Sequence, residues 1–385
     1  MNSSNSKFLN WSAVSAAFLL NGALLGIWAS RIPNISEKLE LSEGQLALPL
    51  LMMAAGAVAS FQIAGRLSDW LGAKRTTLAI SIVYTLALLP MSLAPSGLML
   101  GVALFVFGAT HGAMDVAMNT WASKVDERLE TAFMPSFHAM FSVGLGLGAL
   151  SGFFAAQLSW EPTLHFAVAG LGLFSLWLIC SRVPWQDARA AQNPDDPVIA
   201  FPKGPLILVG VLAGCAAIGE GAMADWSAIF LNRTLELDEG RAALGLVAFN
   251  VGMVSVRFAG AWLIDNIGKV RVTRISGITA CLGALMLVLS PLTAFGFPLS
   301  LVGFLLIGLG LALIFPLAFS RAASEPNGKP GANIAAVATL GYGGLLLGPV
   351  FVGFLAQAIT LQWALGTLVL TSASIALLAN TLRVK

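Results

Sequence analysis

Three acidic residues stand inside long apolar runs of the sequence: Asp115, Glu220 and Asp225. If these runs cross a membrane, an ionised side chain near the bilayer centre costs at least about 2.5–3.5 kcal/mol. Such a residue therefore usually faces water, a partner or a path for protons. Removal from water also favours the protonated form of a carboxyl group. We therefore predict that these three acids couple proton binding to function. For Asp115, a structural hydrogen bond between helices is the alternative.

Asp115 belongs to a polar stripe, because His111, Asp115 and Asn119 recur every four residues. At 100° per residue, the three drift by only about 40° per step around a helix and share one face. The pattern predicts a polar face on an otherwise apolar helix, turned toward a central cavity. Asn119 is accordingly a candidate ligand for a bound solute.

Glu220 and Asp225 are five residues apart, about 140° around a regular helix. Both can face one cavity only if the helix breaks, and Gly219 and Gly221 flank Glu220 where a break would occur. The sequence favours Glu220 as the group that faces the cavity. Asp225 lies closer to the outer end of its run and is a candidate partner for Arg31.

Trp28 and Trp226 occupy equivalent places in the two halves of the chain. An indole offers a flat apolar face and one hydrogen-bond donor, which suits a sugar ring or another amphipathic solute. Anchoring at the membrane interface is an equally open role. The remaining candidates for solute binding are polar side chains within other apolar runs: Asn21, His138, Asn250 and Tyr342.

Composition identifies the elements that must position these residues. Of 385 residues, 57% are hydrophobic and 10% are charged, against roughly a quarter charged in soluble proteins. So few charges exclude a soluble enzyme, and the net charge of +2 gives no reason to expect nucleic acid as a partner. The three cysteines are far apart and form no metal or disulfide framework. The sequence has no His-Glu-x-x-His, no Gly-x-Ser-x-Gly and no phosphate-binding loop, so we expect neither catalysis nor a cofactor or metal.

The apolar runs predict an all-α polytopic membrane protein, because they are continuous rather than alternating. Twelve runs are long enough to span a bilayer, six on each side of a proline-containing polar stretch. We predict an N-terminal six-helix bundle at 1–182, a cytoplasmic linker at 183–204 and a C-terminal six-helix bundle at 205–385. The predicted spans are 10–31, 44–66, 75–95, 97–122, 133–157, 160–181, 205–231, 241–264, 273–294, 297–320, 332–358 and 361–382.

Basic residues predict the orientation. With the N-terminus in the cytoplasm, the outside holds only Arg31, Lys38, Arg233 and Arg241 of the 21 Lys and Arg residues. Cytoplasmic loops of membrane proteins carry the excess of positive charge. We therefore predict that both termini are cytoplasmic.

The two halves also repeat weakly, since 65–72 resembles 261–268 and 22–28 resembles 221–226. Internal repeats of this kind are typical of transporter folds, with the solute site between the halves.

Residues 65–75 carry a glycine, then an acid after three intervening residues, a second glycine after two more, and two basic residues after one more. This segment resembles the loop 2–3 signature of the major facilitator superfamily. The resemblance implies two pseudo-symmetric six-helix bundles, secondary transport, and a cytoplasmic latch that gates the two halves. The implied gating residues are Gly65, Asp69, Gly72, Lys74 and Arg75, together with Asp265 of the second copy and Arg31.

Within that superfamily, Gly112, Asp115 and Asn119 resemble the glycine, acid and asparagine of the fucose-permease-like group. That group has a carboxylate in its first span, where this chain has Asn21. The resemblance implies a monomer in a bacterial inner membrane that moves a small polar solute, such as a sugar, by proton symport. Proton-linked export of drugs or metabolites is an alternative. A sensor or scaffold that moves nothing is another, although it would not need the complete loop signature.

Overall fold

The structure, a computed structural model, describes residues 3–131, 133–185, 201–326 and 330–383, and these residues form helices and no strand. In hydrocarbon, every backbone N–H and C=O group needs a partner within its own segment, which a helix provides. Within the described residues, twelve helical segments are long and apolar enough to cross a membrane. The predicted all-α fold with twelve spans is therefore confirmed.

Fifteen α-helices build these twelve spans, because three spans consist of two helices each: α3 with α4, α11 with α12, and α14 with α15. A π-helical turn, Phe230–Thr234, extends α8. The helices are α1 Ser3–Lys38, α2 Glu43–Leu71, α3 Ala73–Leu86, α4 Leu88–Ser92, α5 Gly97–Leu129, α6 Met134–Gln157, α7 Pro162–Cys180, α8 Leu206–Ile229, α9 Glu239–Ile267, α10 Lys269–Leu289, α11 Gly296–Leu311, α12 Ile314–Ala323, α13 Pro330–Ile359, α14 Leu361–Leu365 and α15 Thr367–Leu378.

The chain divides into two compact units. The first unit comprises Met1–Leu41 and Leu48–Asn193, and the second comprises Ser42–Ala47 and Pro194–Lys385. Most of the linker predicted at 183–204 lies outside the described residues. The first turn of α2 belongs to the second unit, where Glu43 forms an ion pair with Arg233 at 3.0 Å.

Helices α1 and α6 form the centre of the first unit, and their backbones approach closely at glycines. A Cβ atom on Gly22 would lie 2.1 Å from the carbonyl oxygen of Phe141, and one on Gly144 would lie 2.1 Å from that of Leu19. In membranes, helices associate by close packing of small residues, since lipid offers no hydrophobic driving force between them. These glycines therefore fix the position of α1, which carries Asn21 and Trp28.

The second unit repeats this arrangement with α8 and α13. A Cβ atom on Gly221 would lie 2.5 Å from the carbonyl oxygen of Leu345, and one on Gly344 would lie 2.5 Å from that of Gly214. Thus the first and fifth spans of each unit form the same type of pair. The pair fixes the position of α8, which carries Glu220 and Asp225.

Candidate functional site

The polar stripe of the first unit lies on α5, which is an uninterrupted helix. Its start is stabilised by Ser96, whose hydroxyl oxygen accepts a hydrogen bond from the Met99 N–H at 3.3 Å. His111, Asp115 and Asn119 are all partly accessible, whereas the neighbouring apolar residues of α5 are largely buried. The helix thus places the three polar side chains on one face.

A neutral side-chain amide contacts the Asp115 carboxylate. The side-chain amide of Asn119 donates to Asp115 Oδ1 at 3.1 Å, and it also lies 2.8 Å from the Asp115 backbone oxygen. Among the described residues, Asp115 forms no ion pair with a lysine or arginine. Its charge is therefore not compensated by a fixed cation, and addition of a proton changes the net charge of this face by one.

A tyrosine that the sequence analysis missed extends this group. Tyr84 of α3 is fully buried, and its Oη atom lies 2.9 Å from His111 Nδ1 and 3.4 Å from the backbone oxygen of Asn21. The Asn21 side chain is also fully buried, and neither of its amide atoms has a hydrogen-bond partner within the described part of the chain. Tyr84 is one of only two tyrosines in the sequence, which is the signal that could have found it.

The two tryptophans singled out from the repeat are fully buried, each in its own unit. Trp226 donates its indole N–H to the Pro349 carbonyl oxygen at 2.9 Å, across the α8–α13 contact. The Trp28 indole N–H has no acceptor among the described residues. Burial argues against a role as interfacial anchors, since such anchors sit at the headgroup level. Solute binding by either ring stays a prediction.

The other predicted solute ligands have different surroundings. The His138 ring packs edge-on against Phe18, with 5.3 Å between ring centroids. Asn250 is buried and donates its amide to the Leu246 backbone oxygen at 2.9 Å. Tyr342 of α13 is 38% exposed. The structure brings His138 near α1 and leaves Asn250 bonded within its own helix.

The expected break at Glu220 does not occur, because α8 is a regular helix through Leu206–Ile229. The flanking glycines serve packing instead: a Cβ atom on Gly219 would lie 2.6 Å from Leu311 Cδ1, and Gly221 contacts α13. Glu220 and Asp225 therefore point in different directions.

Glu220 lies beside a cation that the sequence analysis overlooked. Its Oε2 atom is 3.6 Å from a terminal guanidinium nitrogen of Arg257 on α9, and the side chains are 18% and 14% exposed, respectively. Arg257 precedes the end of α9 by ten residues, or about 15 Å along the helix. The count of basic residues on each side of the membrane assigns every arginine to a loop. It therefore does not reveal an arginine that lies within a span.

Asp225 has the opposite surroundings. It is buried, and within the described part of its unit its carboxylate accepts no hydrogen bond and forms no ion pair. Its predicted partner Arg31 is fully buried in the first unit, where the guanidinium donates to the Trp160 carbonyl oxygen. Pairing of Asp225 with Arg31 stays a prediction.

The two copies of the loop signature have the same backbone. Gly72 joins α2 to α3 with φ of 93°, and Gly268 joins α9 to α10 with φ of 85°, values that favour glycine. Lys74 donates to the Val183 carbonyl oxygen and lies 5.8 Å from the centre of the Trp121 ring.

The remaining gating candidates differ in exposure. Asp69 is half-buried, whereas Arg75 and Asp265 are exposed, and a Cβ atom on Gly65 would meet open space. The described residues contain no group of three His, Cys, Asp or Glu side chains that could hold a metal ion.

Comparisons with known proteins give a consistent result. The model of the Major Facilitator Superfamily matches residues 14–349. The chain is 39% identical over 373 residues to "Uncharacterized transporter y4wD" of Sinorhizobium fredii, covering 97% of this chain and 98% of the relative. It is 30% identical over 359 residues to "Membrane protein MosC" of Rhizobium meliloti, covering 93% and 86%. The fold resembles the nucleoside transporter NupG (D323A mutant), with a TM-score of 0.76 at 12% identity over 97% of this chain and 99% of that one.

Proposed function

Because the chain belongs to the major facilitator superfamily and is a multi-pass membrane transporter, we propose that it is a proton-coupled symporter. It carries a small polar solute, such as a sugar or a sugar-like metabolite, across the bacterial inner membrane by alternating access. Both termini are cytoplasmic in this proposal.

The observation that carries the proposal is the Asp115 carboxylate in a membrane-spanning helix, held by Asn119 and without a fixed cation among the described residues. A negative charge at this depth is unfavourable, whereas the protonated acid is neutral. Protonation therefore removes the electrostatic cost of moving this site relative to the membrane. His111 on the same face of α5, and Tyr84 of α3 in contact with it, are further groups that can carry a proton.

The candidate solute ligands of the first unit suit a hydroxyl-rich solute. Asn21 and Asn119 each offer a donor and an acceptor, and Trp28 offers one donor beside an apolar face. The Asn21 amide and the Trp28 indole N–H have unused hydrogen-bonding capacity within the described chain. A neighbour with the same fold is a nucleoside transporter, so this fold accommodates polar ring-bearing solutes.

The test is uptake of radiolabelled sugars, nucleosides and their acidic derivatives by proteoliposomes under an imposed proton gradient. We expect accumulation of at least one solute that follows the gradient and falls to the level of empty liposomes in Asp115→Asn. Asp238→Asn is the matched control, because Asp238 accepts the Arg241 N–H at the start of α9 at 3.0 Å and asparagine caps a helix equally well.

Uptake that ignores the gradient and is unchanged in Asp115→Asn would contradict the coupling mechanism. Release of preloaded solute against its own gradient, driven by inward proton flow, would instead indicate export.

A further inference from the structure

The second unit holds an ion pair that the proposed function does not use. Glu220 of α8 and Arg257 of α9 are 3.6 Å apart, and both side chains are largely buried but not sealed. The distance exceeds that of a direct hydrogen bond, and Glu220 Oε1 is buried without a hydrogen-bond partner in the part of the chain that the structure describes. The pair is therefore loosely closed, and an arginine keeps its charge under all ordinary conditions.

Few other ionisable groups surround this pair. The elements packed against α8 are α9, α11, α12, α13, α15, the turn Ala379–Leu382 and the π-helical turn Phe230–Thr234, whose Arg233 is 3.0 Å from Glu43. Of these, α11 and α15 contain no ionisable side chain, and Arg321 of α12 is 2.8 Å from Glu325. The other ionisable groups on α8, α9 and α13 are Cys215, Asp225, Glu239, Arg241, Asp265 and Tyr342. In the described chain, Arg257 is the one cation within ion-pair distance of Glu220.

We propose that the transported solute bears a carboxylate, and that this carboxylate binds Arg257 in place of Glu220. The inference rests on the proposed function and narrows its solute from a neutral or charged polar molecule to a small organic acid, such as a sugar acid. A guanidinium group binds carboxylates through two parallel N–H donors, which gives both strength and orientation. Glu220 then acts as an internal substitute for the solute when the site is empty.

Charge balance couples this exchange to a proton. In the empty site, Arg257 and Glu220 neutralise each other. If a solute carboxylate replaces an ionised Glu220, the site gains one negative charge inside the membrane, which is unfavourable. Glu220 therefore takes one proton from water as the solute arrives, and the occupied site is again neutral. This proton is separate from the one at Asp115.

The test is thermal unfolding of the purified protein in detergent with lactate, succinate or glucuronate. Each acid is compared with its amide at equal concentration and ionic strength. We expect at least one acid to raise the melting temperature by about 3 °C or more, while its amide does not. Glu220→Gln should bind the same acid at lower concentration, since the competing carboxylate is gone. Its binding should no longer take up a proton, as measured by calorimetry in buffers of different ionisation enthalpy.

Arg257→Gln should abolish stabilisation by the acid. Because this variant leaves Glu220 without its partner, Glu220→Gln combined with Arg257→Gln serves as a second non-binding protein that lacks both charges. Arg274→Gln is the matched control, since Arg274 is an exposed arginine of α10 bonded to Asn380 at 3.1 Å.

The proposal is overturned if none of the three acids stabilises the protein, if an amide acts as well as its acid, or if the doubly neutral protein still responds. Asp115→Asn separates it from the proposed function, because acid binding at Arg257 should survive that substitution. If no acid binds but the protein takes up a neutral solute with protons, the organic-acid class is rejected and the proposed symport stands. If an acid binds at Arg257 but Asp115→Asn leaves uptake unchanged, the coupling role of Asp115 is rejected and the organic-acid class stands.

Discussion

In the first unit, the Asp115 carboxylate accepts a hydrogen bond from a neutral amide, whereas in the second unit Glu220 lies beside the Arg257 guanidinium. Both acids stand within membrane-spanning helices. A proton added to Asp115 removes a net charge from its surroundings, but a proton added to Glu220 leaves an uncompensated cation. The two units therefore place their acids under opposite electrostatic constraints, which suits one to proton binding and the other to exchange with an anion.

This difference arises on a repeated backbone. The α1–α6 contact of the first unit and the α8–α13 contact of the second both depend on glycines that bring helix backbones together. Gly72 and Gly268 also join equivalent helices with similar positive φ angles. The repeat thus preserves packing and loop geometry, while the polar residues on the helices have diverged.

The largest expected effect is on stability when one member of the ion pair is removed. Arg257→Gln should lower the free energy of unfolding by about 3 kcal/mol, because it leaves Glu220 as an unpaired buried charge. Asp115→Asn should cost less than about 1 kcal/mol, since the new amide can still accept from Asn119. Thermal unfolding in one detergent compares the two.

The protein lacking both Glu220 and Arg257 charges should recover most of the loss. Equal destabilisation by the two single substitutions would remove the contrast between the units.

A smaller loss is expected at the glycine contacts that the units share. Gly344→Ala should destabilise by about 2 kcal/mol, because the added methyl group would lie 2.5 Å from the Gly214 carbonyl oxygen. Gly144→Ala should do the same in the first unit. The adjacent Gly343 is the matched control, since a Cβ atom there has nothing within 4 Å and alanine favours the helix. If Gly343→Ala and Gly344→Ala unfold at the same temperature, close packing is not what holds α8 to α13.

The sequence could predict the features that depend on one helix at a time. The spacing of His111, Asp115 and Asn119 predicts a common face, and α5 confirms a continuous helix through all three. It could not predict the pairs formed between helices, such as Tyr84 with His111, because these depend on tertiary packing. Arg257 was missed for another reason: the count of basic residues assigned it to the cytoplasmic side, although it lies within the predicted span 241–264.

The glycines beside Glu220 show why one expectation was wrong. Glycine is compatible with both a helix break and a close helix contact, and the sequence alone does not distinguish these uses. In the structure, Gly219 and Gly221 meet Leu311 and Leu345 of neighbouring helices, so α8 stays regular. Only knowledge of the partner helices resolves this choice.

The loop signatures provide a third comparison of the two halves, in transport rate rather than stability. Asp69→Asn should slow uptake about tenfold, because it removes the charge of a half-buried acid in the last turn of α2, next to the loop that joins α2 to α3. Asp265→Asn should slow it by about twofold or less, since that side chain is exposed and its copy of the signature has Ala261 in place of the first glycine. The measurement is the initial uptake rate in proteoliposomes beside the solute dissociation constant, which neither change should alter. A matching loss of rate and affinity in Asp69→Asn would mean that this residue shapes the binding site.

The smallest effect is expected from the two tyrosines of the chain. Tyr84→Phe should lower stability by about 1 kcal/mol, because the hydroxyl group near His111 and the Asn21 carbonyl is buried. Tyr342→Phe should cost less, since its side chain is 38% exposed and water can replace a lost partner.

Proton-driven uptake by Tyr84→Phe also tests how the first unit binds its proton. It distinguishes binding at Asp115 alone from binding by a connected group that includes Tyr84 and His111. If Asp115 alone binds the proton, uptake keeps its dependence on the gradient. If that dependence disappears while the protein stays folded, the proton passes through the Tyr84 hydroxyl, and the first unit works as a connected polar group rather than through one carboxylate.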